Sequence, residues 1–119
     1  MENKAAFEIL FIDFHRRGDN VRVRAVVSNI GNIDGGCSVN CYVKNLSTEK
    51  VFVASTLAIE NIESGKSETV NLEFNDMDIA ERNANYSLLK AGDYSVFLGE
   101  SFEHSVEVYS FFVDSDRYL

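Results

Sequence analysis

The segment that most constrains the fold runs from Lys90 to Gly99 and reads Lys-Ala-Gly-Asp-Tyr-Ser-Val-Phe-Leu-Gly. Tyr94, Val96 and Leu98 occupy every second position, which is the period of a β-strand with two different faces. A tyrosine two residues after a glycine, at the start of such a strand, is typical of a corner in a two-sheet β-sandwich. We therefore expect Tyr94 to be buried, with its hydroxyl bonded to nearby backbone.

Six further segments have a β-strand pattern, and turn-forming residues separate them. The clearest is 21–29, where valines alternate with Arg22 and Arg24 and the arginines are expected to face solvent. The segment 51–59 is less regular, and we expect it at a sheet edge. Segment 5–14 is apolar at nearly every position, which predicts cover on both faces. The predicted strands lie in residues 5–14, 21–29, 39–44, 51–59, 68–74, 90–99 and 106–113, and residues 29–36 are predicted to form a loop.

One short interruption of the β pattern lies at residues 78–82. Asp78 is predicted to cap a helical turn, with Glu81 three residues later in the capping-box position. The neighbouring Asn75, Asp76 and Asp78 have the spacing of only the first positions of a calcium loop, so capping is the preferred interpretation.

Seven strands and one helical turn predict an all-β fold, an immunoglobulin- or fibronectin III-like two-sheet β-sandwich of about seven strands. A chain of 119 residues has the size of one domain, and the sequence contains no repeat or linker. We therefore predict a single domain over residues 1–119.

Charge and cysteine content limit the partners and the compartment. A net charge of −8 argues against nucleic acid and anionic membranes, which both require a positive face. The sequence has neither a membrane-spanning apolar run nor a signal-peptide pattern, which predicts a soluble chain. In one strand, Cys37 and Cys41 are too far apart to pair with each other. Two free thiols favour a reducing compartment, so we predict a cytoplasmic location.

No catalytic constellation is present in the sequence. The two histidines, His15 and His104, belong to no recognisable motif, and no glycine-rich phosphate loop is present. We predict no catalytic, cofactor-binding or metal-binding residue and no cofactor.

Three short motifs have a functional and an ordinary interpretation. Arg17-Gly18-Asp19 spells an integrin-type tripeptide, and sequons begin at Asn45 and Asn85. We interpret all three as ordinary turn or loop sequence. Tyr42, on an outward strand face, and Tyr86, in a loop, are the plausible carbohydrate contacts, although surface or packing tyrosines are the favoured interpretation.

Taken together, the motifs resemble the fibronectin III-like C-terminal domain of family 3 glycoside hydrolases, the β-glucosidase group. Residues 23–31 (Val-Arg-Ala-Val-Val-Ser-Asn-Ile-Gly) resemble its valine-alternating strand that ends in Asn-x-Gly, and 65–74 resemble its Gly-Glu-Ser-x-Thr-Val-x-Phe turn and strand. Residues 78–80 stand where that family has Asp-Leu-Ala, and 91–101 resemble its Gly-x-Tyr-x-Val-x-Val-Gly-x-Ser segment. The signature residues are Asn29, Gly31, Tyr42, Gly65, Asp78, Gly92, Tyr94 and Gly99.

The resemblance implies a non-catalytic accessory module. The catalytic residues of that family belong to other domains, and no position here matches them. The implied partners are the catalytic domains of the same polypeptide or complex, with carbohydrate as a further candidate. Cys37, Asn40 and Ser64 depart from the family pattern. The alternatives are a cell-adhesion-type sandwich for protein interaction and an independent carbohydrate-binding module.

Overall fold

The computed structural model describes residues 2–119 as two facing antiparallel sheets and a small third sheet. The first sheet has the order β1-β2-β5 and the second the order β4-β3-β8-β9, while the third has the order β10-β7-β6. The strands are β1 (Phe7–Arg17), β2 (Asn20–Asn29), β3 (Gly35–Asn45), β4 (Val51–Ile62), β5 (Ser67–Asn75), β6 (Glu81–Arg82), β7 (Ser87–Leu89), β8 (Gly92–Gly99), β9 (Ser105–Val113) and β10 (Arg117–Tyr118).

The predicted all-β sandwich is confirmed, and the seven long strands are those predicted from the alternating segments. Strand β4 lies at an edge of its sheet, as its irregular pattern indicated. The three short strands of the small sheet were not predicted, because two or three residues are too few to show a period.

The core lies between the two large sheets, and it is built by the residues that alternate inward. Every second residue of β2 from Val21 to Val27 is buried, and so are Val39, Cys41 and Val43 of β3. Because successive side chains of a strand point to opposite faces, one apolar face per sheet is enough to fill this layer. The remaining strands add Val70, Leu72, Phe74, Tyr94, Val96, Leu98 and Val113.

The prediction that β1 is covered on both faces was wrong. Phe7, Ile9 and Phe11 pack against the core, but Leu10 and Ile12 are 63% and 42% exposed. In residues 2–119 no further layer covers the outer face of this three-stranded sheet. An apolar pattern on both faces therefore indicates β structure here without indicating two-sided burial.

The capping assignment of the helical turn was also wrong. The turn is a 3₁₀ helix over Asp76–Ile79, and its N-cap is Asn75. The Asn75 side chain accepts from the Met77 N–H at 2.9 Å, while the Asp78 carboxylate accepts from the Asn75 N–H at 2.8 Å. Asp78 is therefore the third residue of a capping box, and Glu81 lies beyond the helix in β6.

In residues 2–119, no helix is both long enough and apolar enough to cross a membrane.

Candidate functional site

Tyr94 forms a buried corner at the end of the sandwich nearest the β1–β2 hairpin. Its ring is 1% exposed and stacks on Phe111 with a centroid distance of 5.1 Å. Its hydroxyl donates to the Lys90 carbonyl oxygen at 2.6 Å. Burial raises the pKa of Tyr94, and the Asn45 side chain acts in the opposite direction. The predicted burial and backbone hydrogen bond of Tyr94 are confirmed.

Glycine is required at position 92 to bring the chain into this corner. Its φ of +129° lies in a region that other residues rarely adopt, and a Cβ atom would lie 2.9 Å from the Ser47 Oγ. Asn45 closes the facing turn, because its Oδ1 accepts from the Ser47 N–H at 2.9 Å. Asn45 is the last residue of β3 and only 2% exposed, and the rest of its sequon lies in the turn that follows.

We expect Tyr94→Phe to lower the free energy of unfolding by about 1 kcal/mol, because one hydrogen bond is lost from a buried group. The raised pKa adds a pH dependence with a defined sign. A tyrosine whose pKa is higher in the folded state contributes its stability below its ordinary value of 10.0. That contribution is lost as the pH rises through the folded-state pKa. Urea unfolding at pH 7 and above pH 10 measures this dependence. Between the two pH values, the free energy of unfolding should fall less in Tyr94→Phe than in the native chain.

Tyr109→Phe is the matched control, since Tyr109 is 43% exposed. Equal effects of the two substitutions would contradict a structural role for the Tyr94 hydroxyl.

Beside this corner lies a buried carboxylate that joins three distant parts of the chain. Asp76 is 2% exposed, and both of its oxygens accept from Arg16 Nη2, at 2.8 and 2.9 Å. Arg117 Nη2 donates to Asp76 Oδ2 at 2.5 Å. The Arg16 guanidinium also lies 5.8 Å from the centre of the Phe111 ring. The network therefore ties β1, the 3₁₀ turn and β10 to the Tyr94 corner.

Sequence reasoning missed this network, because it considered Asp76 only as part of an incomplete calcium loop. Asp76 and Arg16 are 60 residues apart, and no local pattern links them. The arrangement can orient the ends of strands, but an arginine-paired carboxylate offers no free oxygen pair for a metal. Among residues 2–119, no group of three or more His, Cys, Asp or Glu side chains could hold a metal ion.

Asn29 organises the opposite end of the sandwich. Its Nδ2 donates to the Ile33 and Ile62 carbonyl oxygens at 2.9 and 2.8 Å, and its Oδ1 accepts from the Gly31 N–H at 3.0 Å. Gly31 must lack a side chain, because a Cβ atom would lie 2.2 Å from the Lys4 carbonyl oxygen. The Asn-x-Gly motif therefore holds the N-terminal segment against the β2–β3 loop.

The other signature residues are distributed over the molecule. Gly65 donates its N–H to the Asn29 carbonyl oxygen at 2.9 Å, so it belongs to the Asn29 end. Gly99 closes β8, and Asp78 lies in the 3₁₀ turn. The structure thus distributes the eight residues over the sandwich and does not bring them into one chemical site. Their value as a family signature remains a prediction.

Tyr42 does not offer the exposed ring predicted for a carbohydrate contact. It is 9% exposed, because Phe102 from the β8–β9 loop lies edge-on to it with a centroid distance of 5.6 Å. Phe102 also contacts Phe97, so the three rings cover one another. Tyr86, the second candidate, is 43% exposed and lies immediately before β7.

The two histidines are exposed and far apart, one in β1 and the other in the β8–β9 loop. Arg17-Gly18-Asp19 lies at the turn that joins β1 to β2, and Gly18 has a φ of +61°. Asp19 lies 3.6 Å from the Arg117 Nη2. This tripeptide is therefore part of a tight hairpin turn.

Both cysteines are free, and they differ in burial. Burial raises the pKa of the Cys41 thiol to about 12, while the pKa of half-buried Cys37 is raised by burial and by the nearby Glu100 charge. Because only the thiolate reacts, we expect a thiol reagent at pH 8 to label Cys37 slowly and Cys41 only after unfolding. Mass spectrometry of labelled peptides measures this order. Rapid native labelling of Cys41 in Cys37→Ser would contradict the buried position.

No family model matches the sequence, and no curated protein sequence matches it significantly. Solved structures do match. The β-glucosidase from Kluyveromyces marxianus in complex with glucose aligns with a TM-score of 0.83 and 25% identity, over 97% of this chain and 14% of that chain. β-Glucosidase 3B from Thermotoga neapolitana aligns with a TM-score of 0.83 and 23% identity, over 97% and 17%. The chain has the fold of one part of a β-glucosidase.

The GH3 β-glucosidase from Bifidobacterium adolescentis aligns with a TM-score of 0.79 and 21% identity, over 92% of this chain and 17% of that chain. The predicted resemblance to the small fibronectin III-like domain of family 3 glycoside hydrolases is thereby confirmed as a likeness of fold. The chain spans only 14 to 17% of the length of these enzymes. The sandwich therefore corresponds in fold to a small part of these enzymes.

Proposed function

We propose that this chain is a non-catalytic accessory module of a family 3 glycoside hydrolase and that it supports the catalytic domains by packing against them. One observation carries the proposal. The fold match covers 97% of this chain but only 14% and 17% of two β-glucosidases. The matched part of each enzyme therefore has about the size of one structural module. The residues that organise the fold, such as Tyr94 and Asn29, hold backbone segments in place and form no reactive pair.

The exposed apolar surface supports packing against other domains. Leu10 and Val53 lie on different sheets and are 63% and 61% exposed, and Phe112 is 65% exposed. Large exposed apolar side chains at several places are expected on a module that is covered by neighbouring domains. The free thiols support a reducing compartment, so we propose that the module acts in the cytoplasm.

We expect the 119-residue chain alone to release no nitrophenol from 4-nitrophenyl β-D-glucoside above the buffer rate. The reason is that no position of this chain matches the paired catalytic carboxylates of that family, which belong to its other domains. A spectrophotometric assay over hours measures this directly. Turnover that a point substitution within this chain abolishes would contradict the accessory role.

The neighbouring sequence in the genome provides the second test. A catalytic barrel domain encoded in the same polypeptide or complex supports the hydrolase module. Tandem sandwich copies followed by a membrane anchor would support the cell-adhesion alternative instead.

A further inference from the structure

The side of the sandwich between β1 and β9 is closed at one end and open at the other. At the closed end the Phe14 ring stacks on Tyr109 with a centroid distance of 3.9 Å, and the Arg16 guanidinium lies over the Phe111 ring. At the Asn29 end a cavity of about 520 Å³ lies between the two sheets. The apolar side chains that line it are Phe7, Ile9, Leu98 and Val106. We call this cavity the open seam.

Val106 shows that the core is incomplete at the open seam. It is the cross-strand partner of Leu98, so the two side chains lie on the inward face of the same sheet. Leu98 is 2% exposed, whereas Val106 is 59% exposed. An apolar side chain placed over Val106 would remove this surface from water, which is favourable. The open seam can therefore accept apolar side chains from outside the chain.

Strand β1 presents a free edge along the open seam. Within residues 2–119 it pairs with β2 alone, so alternate backbone N–H and C=O groups of residues 7–11 have no partner strand. A β-bulge at Ile12 and another at Val108 in β9 separate the open part of this side from the closed part. The free edge therefore fits one short extended segment, about as long as residues 7–11.

The rim of the open seam is acidic. Glu100 lines it, and Glu8 and Glu107 each stand next in sequence to a lining residue. In the described part of the chain none of these three carboxylates forms an ion pair. His104 is the other titratable side chain of the lining, and Lys4, the nearest lysine before β1, lines a different cavity. Cationic side chains of a partner would therefore meet carboxylates that are not neutralised.

We propose that the open seam binds an extended segment of a partner protein in which apolar residues alternate with lysine or arginine. The segment adds to the free edge of β1 as one further strand. Because successive side chains of a strand point to opposite faces, its apolar side chains enter the seam and cover Val106. Its cationic side chains lie on the outer face of the sheet beside Glu8. The net charge of −8 favours the approach of a cationic segment.

Titration of the ¹⁵N-labelled chain with the acetylated and amidated pentapeptide Lys-Val-Lys-Val-Lys tests the open seam. We expect saturable amide shifts confined to residues 6–11 and 98–107, and slower hydrogen exchange at the free-edge amides of β1. Val106→Arg should weaken binding about tenfold or more, because it places a like charge against the peptide. Val53→Arg is the matched control, since Val53 is 61% exposed but lies in β4 at the opposite edge of that sheet. It should leave the affinity unchanged.

Two further pentapeptides separate the apolar contribution from the charge. Lys-Ser-Lys-Ser-Lys keeps the charges without the apolar side chains, and it should bind about tenfold more weakly or less. Glu-Val-Glu-Val-Glu keeps the apolar side chains with the opposite charge, and it should produce no saturable shift. Equal binding of the two lysine peptides would overturn the proposal, because charge alone would then explain the shifts.

Three other results would also overturn it. One is a titration with Lys-Val-Lys-Val-Lys that gives no saturable shift at the open seam, and another is an affinity that Val106→Arg leaves unchanged. The third is a change of the same amide signals when the chain is diluted without peptide, which would place a second copy of the chain in the seam. The proposal names a surface that the packing function leaves unspecified, and it rests on this chain's own residues. A silent titration would therefore leave the accessory role standing.

Discussion

Asp76→Ala is expected to lower the free energy of unfolding by about 3 kcal/mol. Removing one partner of a buried ion pair costs about 3–5 kcal/mol when the remaining charge has no access to water. Arg16 and Arg117 have side-chain exposures of 33% and 42%, so solvent screens part of that cost and we expect the lower end. Urea unfolding followed by circular dichroism gives the value.

The matched control is Asp19→Ala. Asp19 also faces Arg117, but its side chain is 68% exposed and the contact is 3.6 Å, so we expect a loss below about 0.5 kcal/mol. A double-mutant cycle of Asp76→Ala with Arg117→Ala should give a coupling energy of the order of 1 kcal/mol or more. Additive effects would show that Asp76 does not hold β10 through Arg117.

Asn29→Ala is expected to have an effect of similar size, about 3 kcal/mol. The side chain is 1% exposed and bonds to Gly31, Ile33 and Ile62, as well as to the Ala6 N–H at 3.4 Å. Both donors and both acceptor positions of the amide are therefore used. Alanine leaves backbone groups unpaired in a site that water reaches poorly, and each such group costs about 1–3 kcal/mol.

Asn29→Asp separates hydrogen bonding from shape. The carboxylate has the same outline but cannot donate to the Ile33 and Ile62 carbonyl oxygens, so we expect a loss at least as large as that of alanine. Asn71→Ala, on the exposed outer face of β5, should change stability by less than about 0.5 kcal/mol. Amide hydrogen exchange of Gly31 should accelerate in Asn29→Ala and remain unchanged in Asn71→Ala. Equal stability of Asn29→Ala and the native chain would contradict the organising role.

Sequence reasoning succeeded where a short-range pattern reports directly on geometry. The alternation in β2 and β8 has the period of the strand itself, so their inward faces could be assigned residue by residue. Tyr94 could be placed because its hydroxyl reaches Lys90, only four residues away. The glycine at 92 and the Asn29–Gly31 motif are local as well.

Prediction failed where a residue's environment depends on a distant segment. Tyr42 was assigned correctly to an outward strand position, but a loop 60 residues later places Phe102 over its ring. Leu10 and Ile12 have the hydrophobicity of buried residues, and only the absence of a covering layer among residues 2–119 shows that they are exposed. Asn75 took the capping role assigned to Asp78 because the helix begins earlier than its sequence pattern indicates.

The sequence by itself determined the all-β class, the seven long strands and the likeness to a module of family 3 glycoside hydrolases. These follow from the two-residue period and from turn residues, which are properties of neighbouring positions. Tertiary structure alone decided that Asp76 is buried between Arg16 and Arg117, and that Tyr86 meets Tyr118 on a third sheet. Those contacts join residues 32 to 60 positions apart, and only folding brings such segments together.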